Sequence, residues 1–370
     1  MTPAVRLGAV AQVLRDAGLL REVRGPEDAV VSGVTHDSRS VSVGNLFLAW
    51  AGLQADGHDF VAAAREAGAS AAVVERPLPE VELPQLVVTD GRHAAALAAN
   101  RVLGDPAAAL EAVAVTGTNG KTTTALLARH LLAERSGGAA TVGTLGLVGR
   151  DGRVRPGTEG LTTPDPVRLA QWLRELVDQG VPYVTLEASS HALDQHRLDA
   201  LRVRVAVFTN LTREHLDYHR TLEDYRAAKL RLLDLLRPDG AAVVNASDPA
   251  WAPVRAPTLL TYAVRGEADL RAENVVLSSS GTRFTLHYRG DSVPVSLPLL
   301  GGFNVENALA AAGAGLVLGM TLSQVASRLE TAPQVPGRME RVVAGPFTVI
   351  LDFAHTPDAL ENVLQAVRDV

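Results

Sequence analysis

Apolar and polar positions alternate along this chain in two distinct rhythms. Leu7, Val10, Val13 and Leu14 recur at helical spacing and predict a first helix over 5–20. Short apolar runs then predict strands near 30–34 and 45–49, a helix over 60–67, and strands over 71–74 and 85–88. An alanine-rich helix over 93–103 stops at Gly104, Asp105 and Pro106, which makes a boundary near residue 106. From residue 110 the rhythm becomes strand–helix alternation, the pattern of a mostly parallel sheet. Strands are predicted over 113–116, 183–186, 203–208 and 241–244, with helices over 123–133 and 222–236. These strands end in polar residues: Glu187, then Thr209 and Asn210, then Asn245 and Asp248. That end of an open parallel sheet is where ligands bind.

Residues 262–298 differ, with alternating segments such as 284–288 and 293–297, and read as an antiparallel appendage. A helix is expected over 304–318, then a turn near 333–337, a strand over 347–353 and a helix over 358–370. The fold class is therefore α/β, with parts at 1–106, 107–337 and 338–370. One strand and one helix cannot bury an apolar face alone, so a third domain is expected to begin near 340 with most of it missing.

Composition narrows the function classes. Hydrophobic residues make up 47% of the 370 positions, ample for buried cores, and 4% are aromatic, so those cores are expected to be aliphatic. A net charge of −6 argues against a general nucleic-acid binder. With no cysteine there is no disulfide framework, thiolate metal site or Cys nucleophile, which suits a reducing cytoplasm. Arg6, Arg15 and Asp16 interrupt any signal-peptide pattern, and the longest apolar stretch, 308–320, is too short for a bilayer.

The sharpest chemical signal is V-A-V-T-G-T-N-G-K-T-T-T at 113–124. A strand delivers the chain to Gly117, Thr118, Asn119 and Gly120, whose glycines let backbone N–H groups curl around phosphate oxygens. Lys121 can reach the outer phosphates, Thr122 can offer its hydroxyl to Mg²⁺, and the next helix aims its N-terminus at the same place. The usual pattern has a Gly at the position of Val115. Glu187, at another strand end, can hold Mg²⁺ beside a triphosphate. His191, His196, His215 and His219 cluster after strands, and His215 with His219 has metal-ligand spacing if helical. Nothing else supports zinc there, so a phosphate or Mg²⁺-shell role is preferred. Lys229 reads as a surface lysine of a helix, and 37–39 and 56–58 as polar clusters that bind a small molecule or cap turns.

In order along essentially the whole chain, further segments join the loop: H-D-S-R-S-V-S-V-G-N-L-F at 36–47, D-G-H-D-F at 56–60, L-T-T-P at 161–164 and E-A-S-S-H-A-L-D-Q-H-R at 187–197. F-T-N-L-T-R-E-H-L-D-Y-H follows at 208–219, Y-R-A-A-K at 225–229, G-G-F-N-V-E-N at 301–307, G-R-M-E at 337–340 and D-F-A-H-T-P-D-A-L at 352–360. Together they resemble the Mur ligase family, and within it the branch that adds a diamino acid to UDP-N-acetylmuramoyl-L-alanyl-D-glutamate. The compact loop with Val115 is what that family leads one to expect.

The resemblance implies a three-domain α/β architecture: a UDP-substrate-binding domain at 1–106, a central ATP-binding domain at 107–337 and the start of a Rossmann-like amino-acid-binding domain at 338–370. It implies a cytoplasmic, monomeric, ATP- and Mg²⁺-dependent ligase that forms an acyl phosphate and joins meso-diaminopimelate or L-lysine to it, with no nucleic-acid or membrane partner. Lys121, Glu187, His215 and Lys229 would be catalytic. Gly117, Thr118, Asn119, Gly120, Lys121, Thr122, Thr123, Asn304, Asn307, Arg338, Asp352 and His355 would bind ATP. Thr122, Glu187 and a carbamylated Lys229 would serve the metal, which reverses the reading of Lys229 as a surface residue. Ser38, Gln54, Thr162, Thr163, Ser189, Gln195 and Arg197 would hold the UDP-sugar peptide. Glu214 stands where the family usually has Asp, and Leu161 where some relatives place Asn, so no role passes to Leu161. With amine selection assigned to the third domain, the 370-residue chain is expected to be inactive while still binding ATP and UDP-substrate. The alternatives are another amide ligase of the family or a phosphate-loop ATPase without ligation.

Overall fold

A computed structural model describes residues 4–52, 55–344, 347–355 and 357–368, and the statements below concern those residues. The chain divides into two compact units. The first comprises Met1–Leu110 together with two later segments, Gly157–Gly180 and His191–Arg202. The second comprises Glu111–Pro156, Val181–Ser190 and Val203–Val370.

In the first unit a five-stranded sheet runs in the order Leu20–Arg24, Gln85–Val88, Ala71–Val74, Asn45–Leu48, Gly33–Thr35. The first pair is antiparallel and the others are parallel. Successive strand side chains point to opposite faces, and both faces here are covered. Leu46, Leu48, Ala71 and Val73 pack with the helices Leu7–Asp16 and Gly91–Val102 and with Val167 and Ala170 of the helix Pro166–Asp178. Phe47, Ala72 and Val74 pack on the other side against Val61 and Ala64. Strands buried on both faces are continuous apolar runs, which is why 71–74 and 85–88 were plain in the sequence. The first helix is shorter than the expected 5–20. It ends at Asp16, because Ala17 and Gly18 (φ +70°) close it, and Leu20 begins a strand.

In the second unit an eleven-stranded sheet runs Val154–Arg155, Gly146–Val148, Ala139–Gly143, Tyr183–Glu187, Glu111–Thr116, Val203–Phe208, Leu236–Asn245, Thr258–Ala263, Leu270–Ser278, Gly281–Tyr288, Asp291–Leu297. Pairing is parallel from Ala139–Gly143 through Leu270–Ser278 and antiparallel at both ends. The antiparallel appendage is thus a continuation of the main sheet. The strand Glu111–Thr116 lies between Tyr183–Glu187 and Val203–Phe208, and the chain visits one side of it before crossing to the other. A crevice forms at such a switch point beyond the C-terminal strand ends. The helices Lys121–Leu132 and Phe303–Val317 bury their apolar faces on the central strands, in one core with Val113, Val115, Val205, Val207 and Val243, and Leu322–Glu330 packs on the strand Asp291–Leu297 and on those two helices. The expected helix over 222–236 stops at Leu230 and continues as a 3₁₀ turn over Arg231–Leu235. The chain closes with an antiparallel pair, Glu340–Ala344 and Thr348–Leu351, and the helix Pro357–Arg368. No helix among the described residues is long and apolar enough to cross a membrane.

Candidate active site

The buried strand Glu111–Thr116 delivers the loop 117–120 to the C-terminal edge of the sheet. Gly117 (φ +145°) and Gly120 (φ +85°) occupy backbone conformations that side chains avoid. A Cβ on Gly117 would stand 1.9 Å from Thr209 Oγ1, and one on Gly120 2.2 Å from Asn307 Oδ1. The loop is clamped from the neighbouring strand end. Thr118 N–H donates to Asn210 O (2.7 Å), Asn119 N–H donates to Asn210 Oδ1 (2.9 Å), and Thr209 Oγ1 donates to Asn119 O (2.7 Å). Two loop N–H groups expected to face phosphates are therefore held by Asn210. The anion-binding end that remains is the helix Lys121–Leu132, whose N-cap Gly120 supplies no side-chain cap.

Two lysines converge on one carbonyl. Lys121 Nζ donates to Gly117 O (3.0 Å) and Thr118 O (2.6 Å), and Lys229 Nζ donates to Gly117 O (2.7 Å). Lys229 is 1% exposed, with its nitrogen 4.2 Å from the centroid of the Tyr225 ring. Reading it from the residues as a surface lysine is corrected: its helix turns Tyr225, Ala228 and Lys229 inward. Burial, and then the charge of Lys121, push its ammonium well below the ordinary lysine value, against an opposing pull from Glu214. Burial likewise lowers Lys121, with Glu187 and Glu214 opposing.

Glu187 is 2% exposed at its strand end. Its carboxylate accepts from Thr122 Oγ1 (2.9 Å), Thr144 N–H (2.8 Å) and Thr144 Oγ1 (3.1 Å). A Cβ on Gly143 would stand 2.1 Å from Glu187 Oε1, so the Gly143–Thr144 turn is a close cradle for this acid. Burial raises the Glu187 pKa, partly offset by the Thr144 N–H and Lys121. Arg338 Nη2 donates to Thr122 Oγ1 at 3.4 Å, which brings the predicted arginine to this cluster.

The remaining predicted residues divide by location. His215 caps the short helix Leu216–His219 with φ +55°, its Nε2 3.7 Å from Glu214 Oε2. Burial holds its imidazole below the ordinary value, with Glu214 opposing and Lys121 adding to the effect. His215 precedes the helix rather than sharing it with His219, whose buried ring packs on Tyr218 and Tyr225. The helical metal-pair option therefore lapses. Asn307 Oδ1 accepts from Thr124 Oγ1 (3.4 Å) in the helix that follows the loop, its Nδ2 donates to Asn304 Oδ1 (3.0 Å), and Asn304 Nδ2 donates to Leu300 O (2.7 Å). Asp352 is a local brace, accepting from Met339 N–H and Ala354 N–H (2.7 Å each), and His355 Nδ1 lies 2.8 Å from Phe353 O. Thr123 is buried in the first helical turn. Ser189 is half-buried just beyond Glu187.

In the first unit, Arg197 Nη1 donates to Thr163 O (2.9 Å), and Arg197 Nε and Nη2 donate to Gln195 Oε1 (3.1 and 2.5 Å). Three predicted substrate residues thus form one fork, with Thr162 half-buried beside Thr163. Ser38 opens a 3₁₀ turn capped by Asp37, whose carboxyl the Arg39 side chain holds down to about 2. The cluster at 56–58 is structural: Asp56 caps its turn, and buried His58 accepts the Glu75 N–H at 2.8 Å. Gln54 lies outside the described residues. Sequence reasoning missed Thr144 and Tyr225; the signals were a Gly-Thr pair just after a β run and an aromatic residue one helical turn before Lys229.

Comparison with known proteins gives a consistent picture. The Mur ligase middle domain matches residues 115–315, and the Mur ligase family catalytic domain matches residues 30–114. The UDP-N-acetylmuramoyl-L-alanyl-D-glutamate--2,6-diaminopimelate ligase of Geobacter sulfurreducens is 42% identical over 368 residues, covering 94% of this chain and 70% of its own length. The enzyme of that name from Mesorhizobium japonicum is 42% identical, covering 96% of this chain and 75% of its own. A solved ligase of the same name superposes with a TM-score of 0.81 at 32% identity, covering 99% of this chain and 74% of that one. MurF from Acinetobacter baumannii superposes with a TM-score of 0.74 at 26% identity, covering 100% and 77%.

Proposed function

The chain belongs to the Mur ligase family, and from that premise we propose that it is an ADP-forming ligase of peptidoglycan precursor synthesis, joining a diamino acid to UDP-N-acetylmuramoyl-L-alanyl-D-glutamate in the cytoplasm. The names of its relatives support 2,6-diaminopimelate over L-lysine as that amine. The D-glutamyl side-chain carboxylate attacks the γ-phosphorus of ATP, and ADP leaves. The amine then attacks the acyl carbon, phosphate leaves with the acyl C–O bond, and the amine gives up a proton.

The observation that carries this reading is the pairing of two lysines on Gly117 O beside the Thr122–Glu187 cluster. On nucleotide binding, Lys121 exchanges its two carbonyl partners for phosphate oxygens, and the uncapped helix end adds N–H donors. Asn304, Asn307, Arg338, Asp352 and His355 are assigned to the rest of ATP. The oxygen donors Thr122 and Glu187 suit a hard cation, so they would hold Mg²⁺. Mg²⁺ supplies neutralisation of phosphate charge when bound.

An ammonium at Lys229 does not fit beside a cation, but the neutral amine favoured by its burial does react with CO₂. The resulting carbamate, formed with release of a proton, would present oxygens that, with Thr122 and Glu187, would hold the ion. His215, kept neutral, supports this shell. Ser38, Gln54, Thr162, Thr163, Ser189, Gln195 and Arg197 hold the UDP-sugar peptide.

Calorimetric titration tests the reading. ATP with Mg²⁺ and UDP-N-acetylmuramoyl-L-alanyl-D-glutamate should each bind saturably, and UDP-N-acetylmuramoyl-L-alanine should bind less tightly. Absence of UDP-peptide binding, together with ATP hydrolysis indifferent to it, would establish the ATPase alternative instead.

A further inference from the structure

Away from the nucleotide cluster, the first unit gathers a second set of ligand-type side chains. His93 lies in the first turn of the helix Gly91–Val102, and Asp90 is that helix's N-cap, accepting the His93 N–H at 2.9 Å. His196 lies between Gln195 and Arg197 of the fork, and Asp199 follows two residues after Arg197. His196 Nδ1 stands 2.5 Å from Asp199 Oδ2, and His93 Nε2 stands 3.4 Å from the same oxygen. The two imidazoles stack with centroids 4.7 Å apart. One potential ligand atom from each of His93, His196 and Asp199 lies within 4.8 Å of the others. All three side chains are largely shielded, at 27%, 21% and 12% exposed.

We propose that His93, His196 and Asp199 bind one transition-metal dication of the Zn²⁺ class, which clamps the 195–199 loop to the helix Gly91–Val102.

The donor set selects the ion. Two imidazole nitrogens and a carboxylate suit Zn²⁺, Co²⁺ and Ni²⁺, whereas Mg²⁺ prefers an all-oxygen shell. Three protein ligands leave one tetrahedral position for water. With Zn–N and Zn–O near 2.0–2.2 Å, tetrahedral ligands sit about 3.3 Å apart. The His93–Asp199 separation already has that value, and the His196–Asp199 contact must open by less than about 1 Å as the ion replaces the proton between them. The tautomer change has a ready acceptor: His196 Nε2 lies 3.7 Å from Asp90 Oδ2, so the ring proton can move to Nε2 and face a carboxylate. A metal-bound histidine backed by a carboxylate is the usual outer arrangement. His196 also sits at φ +58°, a conformation a non-glycine residue keeps only where its surroundings hold it. The consequence falls on its neighbours, since Gln195 and Arg197 form the fork that holds Thr163. The site stands on its own geometry and does not depend on the ligase reading.

The metal-free 370-residue chain is titrated with Co²⁺ while visible d–d absorption is recorded, and Zn²⁺ is then added in competition. One Co²⁺ per chain is expected, with a four-coordinate spectrum that Zn²⁺ abolishes and excess Mg²⁺ leaves unchanged. His93→Gln and His196→Gln should each weaken binding by about a hundredfold or more, and Asp90→Asn by about 10–100-fold. His287→Gln, at a histidine of the second unit that faces Glu273, should bind Co²⁺ as tightly as the parent. Because a variant can lose its fold, the parent protein with ¹⁵N-labelled histidine provides a second readout: Zn²⁺ should shift His93 Nε2 and His196 Nδ1. The proposal is overturned if no Co²⁺ binds, if folded His93→Gln and His196→Gln bind it unchanged, or if Zn²⁺ shifts other histidines only.

Discussion

Lys229→Met should change how stability depends on pH more than it changes stability itself. The substitution keeps the length of the side chain and removes the nitrogen. Gly117 O loses one donor but keeps Lys121 Nζ at 3.0 Å, so no buried acceptor is orphaned and the lost hydrogen bond is worth about 1 kcal/mol. Against this, the variant no longer buries an amine beside a second cation. The native pKa of Lys229 lies well below 10.5, so between that native value and 10.5 the unfolded chain binds more protons than the folded one. Stability contributed by this group therefore rises with pH through that interval and is lost as pH falls through the native value. For one proton the limiting slope is about 1.4 kcal/mol per pH unit. Trp251, 2% exposed in the second unit, can report that unit's unfolding once Trp50 and Trp172 are replaced by Phe. Urea denaturation in CO₂-free buffer is then compared for the parent and Lys229→Met from about pH 7 to pH 10. The parent should gain on the variant as pH rises. Bicarbonate should stabilise the parent further while leaving that rise with pH in place, and should produce a ¹³C carbamate resonance absent from the variant. A stability difference that stays constant with pH would refute a depressed Lys229.

Other substitutions separate the functions of the two units. Lys121→Met removes the cationic donor for phosphate, so ATP affinity should fall by about 10–150-fold by calorimetry, with UDP-peptide binding unchanged. Gly143→Ala places a methyl 2.1 Å from Glu187 Oε1 and must displace that carboxylate; Mg²⁺-dependent tightening of ATP binding should drop by about tenfold or more while metal-free nucleotide binding persists. Arg197→Ala removes the fork to Thr163 and Gln195, so UDP-peptide affinity should fall by about 10–100-fold in the same titration with ATP affinity intact.

Much of the fold was legible because its strands are buried on both faces. Ala71–Val74, Gln85–Val88 and Val203–Phe208 are apolar runs that no surface element imitates. The strand Ala139–Gly143 was missed: Ala-Ala-Thr-Val-Gly is short, small and preceded by two glycines, and only pairing with Tyr183–Glu187 makes it a strand. The phosphate loop was legible because glycine, lysine and threonine have positional meaning there. Lys229 was not, since its helix of nine residues carries little apolar patterning and its burial comes from Gly117 and Tyr225, distant in sequence or visible only in three dimensions. Likewise nothing in the local pattern shows that Thr144 holds Glu187 across 43 positions.

The way the chain weaves between units has a consequence during synthesis. Val167 and Ala170 fill the core of the first unit, yet they arrive after the loop and strands of the second have begun, and the last segment of the first unit ends at Arg202. Roughly ninety residues separate Leu110 from that point, about 5–18 s of translation at ribosomal speeds. For about the first three-quarters of that interval, until Asp178 has been made, the nascent chain carries the face of Gly91–Val102 without its covering helix. No single cut of the polypeptide frees either unit intact, so the first unit becomes an autonomous folding body only after the ribosome has made the phosphate loop and the strand bearing Glu187.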